Sequence, residues 1–268
     1  CACRAPMSEP RVTARCVAIA IAAAAVVDAV SLAHAQVSSS ASASILSLVI
    51  KWLPLIFSGF LLNLLVSVLS MAIGTVAGVP LGLGQIARNR LVQRCASAVT
   101  QFTRNAPWLV LLFLTMFLLP FQFRLFGHSI PFPAWIKAVI GLAIPVMGNV
   151  SEIVRGGVLS IPRAQWESAE SLAFSPAQTV FKIILPQALK RMLPPWMNLY
   201  AILAMATPLI AIVGVQDGLT DVRGALVAEN RTDLLLPLYA TLLAMFFVYC
   251  YPIALATRAL ERRAEVKF

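Results

Sequence analysis

Charge is scarce in this chain, and acidic charge is scarcer than basic. Asp, Glu, Lys and Arg make up 12% of its 268 residues, with 11 acids against 21 bases. A soluble domain carries roughly twice that charged fraction, so the composition argues against one. Histidine is nearly missing: His34 and His128 stand isolated and read as incidental rather than as metal ligands. Of the five cysteines, Cys1, Cys3, Cys16, Cys95 and Cys250, only the terminal C-A-C is closely spaced, so neither a disulfide nor a metal is expected. The phosphate-loop pattern G-x-x-x-x-G-K-S/T does not occur, which removes that cradle for ATP. No catalytic constellation is apparent, and no cofactor is expected on the chain itself.

What the sequence has is apolar length. Hydrophobic residues make up 60%, and the mean hydropathy is +0.85. Apolar runs cover about 53–86, 106–123, 132–154, 193–215 and 234–257. Runs near 20 residues match the hydrocarbon thickness of a bilayer. The expected fold is therefore all-α: a polytopic bundle of five transmembrane helices over 53–260, with a short tail at 261–268. The formal charge of +10 raises nucleic acid or anionic lipid as partners. Basic loops held on the cytoplasmic side explain it better, and no nucleic acid is expected.

Residues 1–35 read separately. Arg4, Arg11 and Arg15 precede an alanine-rich run that ends in Ala33-His34-Ala35, the pattern of a secretory signal. Asp28 interrupts the run. A mid-membrane aspartate costs roughly 2.5–3.5 kcal/mol, while each Val, Ile or Leu returns about 0.3–0.6, so permanent spanning is marginal. Cleavage after Ala35 is the preferred reading; an uncleaved extra helix and a start at Met7 are the alternatives. Residues 36–52 are then expected to be a periplasmic lead-in, flexible over the serine- and alanine-rich stretch from Val37 to Ser44.

Charge sets the expected topology. Arg88, Arg90, Arg94 and Arg104 follow the first run; Arg155, Arg163, Lys182, Lys190 and Arg191 follow the third; Arg258, Arg262, Arg263 and Lys267 end the chain. The other connections hold Arg124 and Lys137, or the acidic set Asp217, Asp221, Glu229 and Asp233. The N-terminus of the bundle is thus expected outside and the C-terminus in the cytoplasm of a multi-pass inner-membrane protein. In the first run Ser67, Ser70, Gly74, Gly78 and Gly82 recur at helical spacing, a stripe that lets helix backbones approach closely in lipid.

The polar island at 152–198 is the strongest signal. Ser160 is expected to cap a first short helix, with Pro162 in its first turn. Ser175-Pro176-Ala177-Gln178 starts a second, with Ser at the cap and Gln three residues on. Pro186, Pro194 and Pro195 are expected to break the chain before the next span. Ala164, Ser168, Ala169 and Ala173 keep the first helix slim beside Glu167 and Glu170, as close docking onto another protein requires. A helix pair that only stabilises the loop is the plainer reading.

The ordered elements E-I-V-R-G-G, S-I-P, Q-W-E-S-A, I-I-L-P-Q-A-L and L-P-P-W-M-N, with R-N-A-P at Arg104–Pro107, resemble the permeases of polar amino acid ABC importers from about Leu55 to Arg263, nearly the whole chain after Ala35. That resemblance implies the type I ABC importer permease fold, with a cytoplasmic coupling helix in a loop at about 155–192. It assigns coupling to Gln165, Glu167, Ser168, Ala169 and Ala173, and flanking motif positions to Arg155, Gly156, Gly157 and Pro186. It implies an ABC ATPase dimer that binds ATP, a second permease chain, identical or not, and a periplasmic solute-binding protein, around alternating access in the lipid bilayer. Two departures stand out. Ala173 replaces the turn glycine, and alanine in a left-handed turn costs on the order of 1–2 kcal/mol. Met205-Ala206-Thr207-Pro208-Leu209 replaces the family's usual element with a Lys-Asp pair.

Asn63, Asn149, Asn198 and Thr207 are the polar candidates for a solute path, with interhelical hydrogen bonds as their alternative role. Two rival classes are an ion-coupled secondary transporter and a membrane scaffold that docks a cytosolic protein without transport. The first would want buried titratable groups near mid-membrane.

Overall fold

The computed structural model describes residues 39–125 and 128–265. The expectations for 1–35, including Cys1, Cys3, Cys16, Asp28 and His34, and for Lys267, fall outside them. The chain divides into two units, Cys1–Lys51 and Trp52–Phe268, and of the first only the opening turns of a helix are described. The elements are α1 (Ser39–Gln85), α2 (Arg90–Asn105), α3 (Trp108–Leu118), β1 (Gln122–Leu125), β2 (His128–Pro131), α4 (Ala134–Leu159), α5 (Arg163–Ser171), α6 (Leu185–Ala206), α7 (Gly218–Glu229) and α8 (Leu235–Glu265). Among the described residues, four helical stretches are long and apolar enough to cross a membrane: Ile45–Gln85, Ala134–Leu159, Thr179–Val213 and Thr232–Arg262.

The second expected span is built differently. Its apolar helix, α3, has 11 residues, about 16 Å at 1.5 Å per residue. Pro107 lacks an N–H and pushes the preceding residue out of the helical region; Ala106 is accordingly extended, with ψ 137°. On its other side lies α2, read from sequence as a charged connection. It is a helix capped by Asn89, whose side chain accepts from Leu91 N at 2.9 Å. Both helices pack along α4. Gly141 of α4 meets Leu112 and Thr115 of α3, and Gly148 meets Thr103 and Arg104 of α2.

Helix α4 is the centre of the bundle, with Val139, Leu142, Val146, Val150 and Val154 buried along it. The small stripe of α1 lies against it: Gly74 faces Val146, Gly78 faces Met147 and Val150, and Gly82 faces Ser151 and Val154. On the remaining side Gly157 faces Met192 of α6. Polar ties also join these helices to one another and to α8. Gln85 Nε2 donates to Ser151 Oγ at 2.7 Å, and Thr100 Oγ1 lies 2.9 Å from the same oxygen. Trp196 Nε1 donates to Thr75 Oγ1 at 2.9 Å, and the Tyr200 hydroxyl bonds that of Tyr249 on α8.

Lys137 is not in a connection. It lies in the first turn of α4, its side chain fully buried at 0% exposure. Its ammonium donates to Leu119 O at 2.7 Å and Met116 O at 3.3 Å, and it sits 3.2 Å from the ring centroid of Phe121. A cation there satisfies carbonyls left open at the C-terminus of α3. Lys137→Met is expected to lower stability by about 1.5–3 kcal/mol, the range for a lost hydrogen bond to a charged group, read as a lower thermal midpoint of the purified protein. After α3 comes a short antiparallel hairpin pairing Phe123 with Ile130, the one piece of sheet among the described residues and not expected from the sequence.

The acidic connection is also helical. Asp217 caps α7 by accepting from Thr220 N at 2.9 Å, and its second carboxylate oxygen accepts from Asn63 Nδ2 at 3.2 Å. Gly59 leaves room for Asp221, and Trp52 Nε1 donates to Glu229 at 2.9 Å. Helix α7 therefore lies along residues 52–63 of α1. Burial raises the carboxyls of Asp217 and Asp221 above the usual range; bonds from Thr220 and Asn63 oppose this at Asp217.

Candidate functional site

Between α4 and α6 the polar island forms a compact elbow. Ser160 does not cap α5. It closes α4, its hydroxyl donating to Gly157 O at 2.7 Å, and α5 starts after Pro162 without a side-chain cap. One residue of α5 is buried, Ala169 at 1% exposure. Its small side chain therefore serves close packing within this chain rather than docking elsewhere. Ala164, Gln165, Glu167, Ser168 and Glu170 are exposed, so α5 presents a slim polar surface whose back is fixed. Gln187 Nε2 reaches Gln165 Oε1 at 3.3 Å and ties α5 to α6.

The end of α5 shows why residue 173 matters. Phe174 N donates to Ala169 O at 3.1 Å and Ala173 N to Glu170 O at 2.9 Å, the paired bonds of a Schellman turn. That turn needs a left-handed residue, and Ala173 supplies it at φ 59°. Ala173→Gly is therefore expected to raise stability by on the order of 1 kcal/mol with transport intact. A large loss of uptake would contradict this reading of the turn.

Ser175 then caps the next helical turn with the expected reciprocal bonds to Gln178. The prolines do not break the chain. Pro186 lies in the first turn of α6, and Pro194 and Pro195 lie inside it. Pro186 has no N–H for the carbonyl four residues back and crowds it. The helix widens just before it: Thr179–Ile184 is π-helical, and Leu185 N donates to Val180 O. Such insertions let a helix accommodate a missing bond without ending. The π segment packs directly against α5, so α5 and the spanning part of α6 are mechanically continuous.

A cleft of about 470 Å³ opens beside this elbow, lined by Arg104, Asn149, Glu152, Gly156, Gly157, Ser160, Arg191 and Asn198, with Ile153, Pro195, Leu199 and Ile202 as an apolar wall. Glu152 is its charged hub. Arg155 Nε donates to Glu152 at 3.1 Å, and Arg104 Nη1 stands 3.9 Å from the other carboxylate oxygen. Arg191 Nη1 donates to Ser160 O at 2.7 Å, which ties α6 to the end of α4. Of the four polar candidates, Asn149 and Asn198 line this cleft. Asn63 and Thr207 do not: Asn63 holds Asp217, and Thr207 is buried with its hydroxyl on Ala204 O at 2.8 Å. Arg104 and Glu152 were visible only as letters of the R-N-A-P and E-I-V-R-G-G elements. Nothing in their spacing shows that the packing of α2 on α4 brings them together.

Residues 70–266 match the family of the binding-protein-dependent transport system inner membrane component. The chain belongs to that family. It is 31% identical over 216 residues to the probable amino-acid ABC transporter permease protein YckA of Bacillus subtilis, covering 81% of this chain and 92% of that one. With the inner membrane amino-acid ABC transporter permease protein YhdY of Escherichia coli it shares 30% identity over 207 residues, which is 77% of this chain but 56% of that longer protein. A solved structure, an amino acid ABC transporter with histidines, superposes with a TM-score of 0.69 at 26% identity, covering 80% of this chain and 96% of that one. The protein is thus a multi-pass inner-membrane permease component of the polar amino acid ABC type, not an enzyme, and the all-α bundle expected from sequence holds.

Proposed function

We propose that this permease carries a small polar solute, an amino acid, into the cytoplasm by alternating access driven by a separate ATPase. The carrying observation is α5: an exposed polar face on a helix that buries one residue, Ala169, and packs against the π segment leading into α6. A partner gripping that face moves a span with it. Gln165, Glu167 and Ser168 meet the ATPase, while Ala169 and Ala173 set the helix and its turn. Arg155, Gly156, Gly157 and Pro186 position the loop between α4 and α6. ATP is held by the partner, not by this chain. The basic residues around α2, α5 and the C-terminus put that end of the bundle in the cytoplasm, leaving α7 outside to meet a solute-binding protein. One bundle lines half a pathway, so a second permease chain completes it. The names of YckA and YhdY support the amino acid as solute.

Uptake of radiolabelled L-amino acids into proteoliposomes tests the proposal, with the ATPase, second permease chain and binding protein added. Uptake that requires ATP is the expected result. Uptake that follows an ion gradient without ATP would point to a secondary carrier instead, and ATPase capture without uptake to a scaffold.

A further inference from the structure

The start of α2 concentrates positive charge that nothing in this chain balances. Arg88 lies in the turn after α1, Arg90 is the first residue of α2, and Arg94 follows one turn on; all three are exposed. The sequence holds no Asp or Glu between Asp28 and Glu152, and Glu152 is itself paired with Arg155 and Arg104. Among the described residues no ion pair reaches Arg88, Arg90 or Arg94. Their position adds to the imbalance. The first turn of α2 has no acidic side chain, and the N-terminus of a helix is partly positive already, so arginines there repel their own helix. An anion from outside the chain relieves both.

The face beside that charge is apolar. Helix α2 buries Ala96, Thr100 and Thr103. On another side Leu91, Cys95, Val99 and Phe102 follow one another at helical spacing and are exposed, Leu91 at 70% and Phe102 at 69%. This strip begins between Arg90 and Arg94 and runs away from them along the helix. A hydrophilic anion or an acidic protein surface would neutralise the arginines and leave the strip bare. Zwitterionic lipid would cover the strip and leave the net charge.

We propose that the start of α2 is a docking site for an anionic phospholipid, its headgroup on Arg88, Arg90 and Arg94 and an acyl chain along Leu91, Val99 and Phe102. Basic clusters at a membrane surface attract anionic lipid, and guanidinium groups present paired donors to phosphate oxygens. None of the three arginines lines the cleft at Glu152, so the site is separate from it and independent of the solute carried.

The full-length permease in detergent is mixed with equal amounts of phosphatidylglycerol and phosphatidylcholine of matched chains. Lipids that survive delipidating washes are counted by native mass spectrometry. Phosphatidylglycerol is expected to be retained in preference. Arg88→Gln/Arg90→Gln/Arg94→Gln is expected to cut that preference by roughly tenfold or more. Leu91→Ser/Phe102→Ser, which leaves the arginines in place, is expected to lower phosphatidylglycerol retention too. Lys182→Gln/Lys190→Gln, a loss of exposed charge elsewhere, should leave the preference as it was. Thermal midpoints without lipid control for folding. The proposal is overturned if the two lipids are retained equally, or if the triple variant keeps the preference. It is also overturned if the lysine variant loses the preference as fully, or if inorganic phosphate displaces the lipid completely. Loss of ATPase capture by the triple variant with lipid preference intact would assign the arginines to an acidic protein surface and overturn it as well.

Discussion

Gly78→Val is expected to leave little or no folded permease in the membrane. The Cβ of any residue at 78 would lie 2.7 Å from Met147 O and 2.8 Å from Val150 Cβ. Both neighbours are fixed by the backbone of α4, so neither can swing aside as a long side chain would. The helices must separate instead. In lipid the association of helices rests on van der Waals contact rather than on a hydrophobic drive, and separation at Gly78 also loosens Gly74 and Gly82 on either side. A clash of this kind with no soft partner belongs with the substitutions costing more than about 4 kcal/mol. Gly224→Ala is the control: its Cβ would meet nothing within 4 Å, and in the interior of α7 it should be neutral or stabilising by up to about 1 kcal/mol. Monodisperse yield after detergent extraction, with the thermal midpoint, distinguishes the two. A normal yield of Gly78→Val would mean that α1 and α4 are not packed as described.

Glu167→Lys is expected to abolish capture of the ATPase while the permease still inserts and folds. Glu167 is exposed on α5, and its backbone carbonyl, not its carboxylate, receives the Ser171 hydroxyl at 2.9 Å. Reversing its charge therefore asks nothing of this chain's own packing. If docking buries Glu167 in a hydrogen-bonded charge pair, loss of that pair costs about 2–5 kcal/mol, so binding should fall by roughly 30-fold or more. Affinity of the purified ATPase for the detergent-solubilised permease measures it, with the thermal midpoint as the folding control. Unchanged co-purification would remove Glu167 from the interface. An equal loss for Ala169→Leu would not be informative by itself, because Ala169 is buried against its own chain and that change disturbs the elbow.

Much of this was legible from local chemistry. Apolar runs of span length announce helices because lipid leaves the backbone no other partner. The Ser175 capping box, the left-handed demand at Ala173 and the small stripe of α1 each follow from a few adjacent residues. The failures share one cause: they depend on what a residue meets across the fold. Ser160 has the chemistry of an N-cap but finds its acceptor at Gly157. Pro194 and Pro195 look like breakers, yet they sit in a helix packed against α4 and α8, and prolines are tolerated in such surroundings. Lys137 counts as loop charge until Met116 and Leu119 are seen to need its donors.

By itself, then, the order of residues determined an essentially helical membrane chain, its family, and a polar elbow between α4 and α6, because hydropathy, capping and backbone handedness act over one or two turns. Only tertiary structure decided that the second apolar run is a short helix joined at Ala106 to an amphipathic one, that Ala169 serves the chain's own packing, and that Arg104 meets Glu152 in an open cleft. Those contacts join residues some 48 positions apart in the case of Arg104 and Glu152. At that separation what touches is set by how helices pack, not by the spacing of letters.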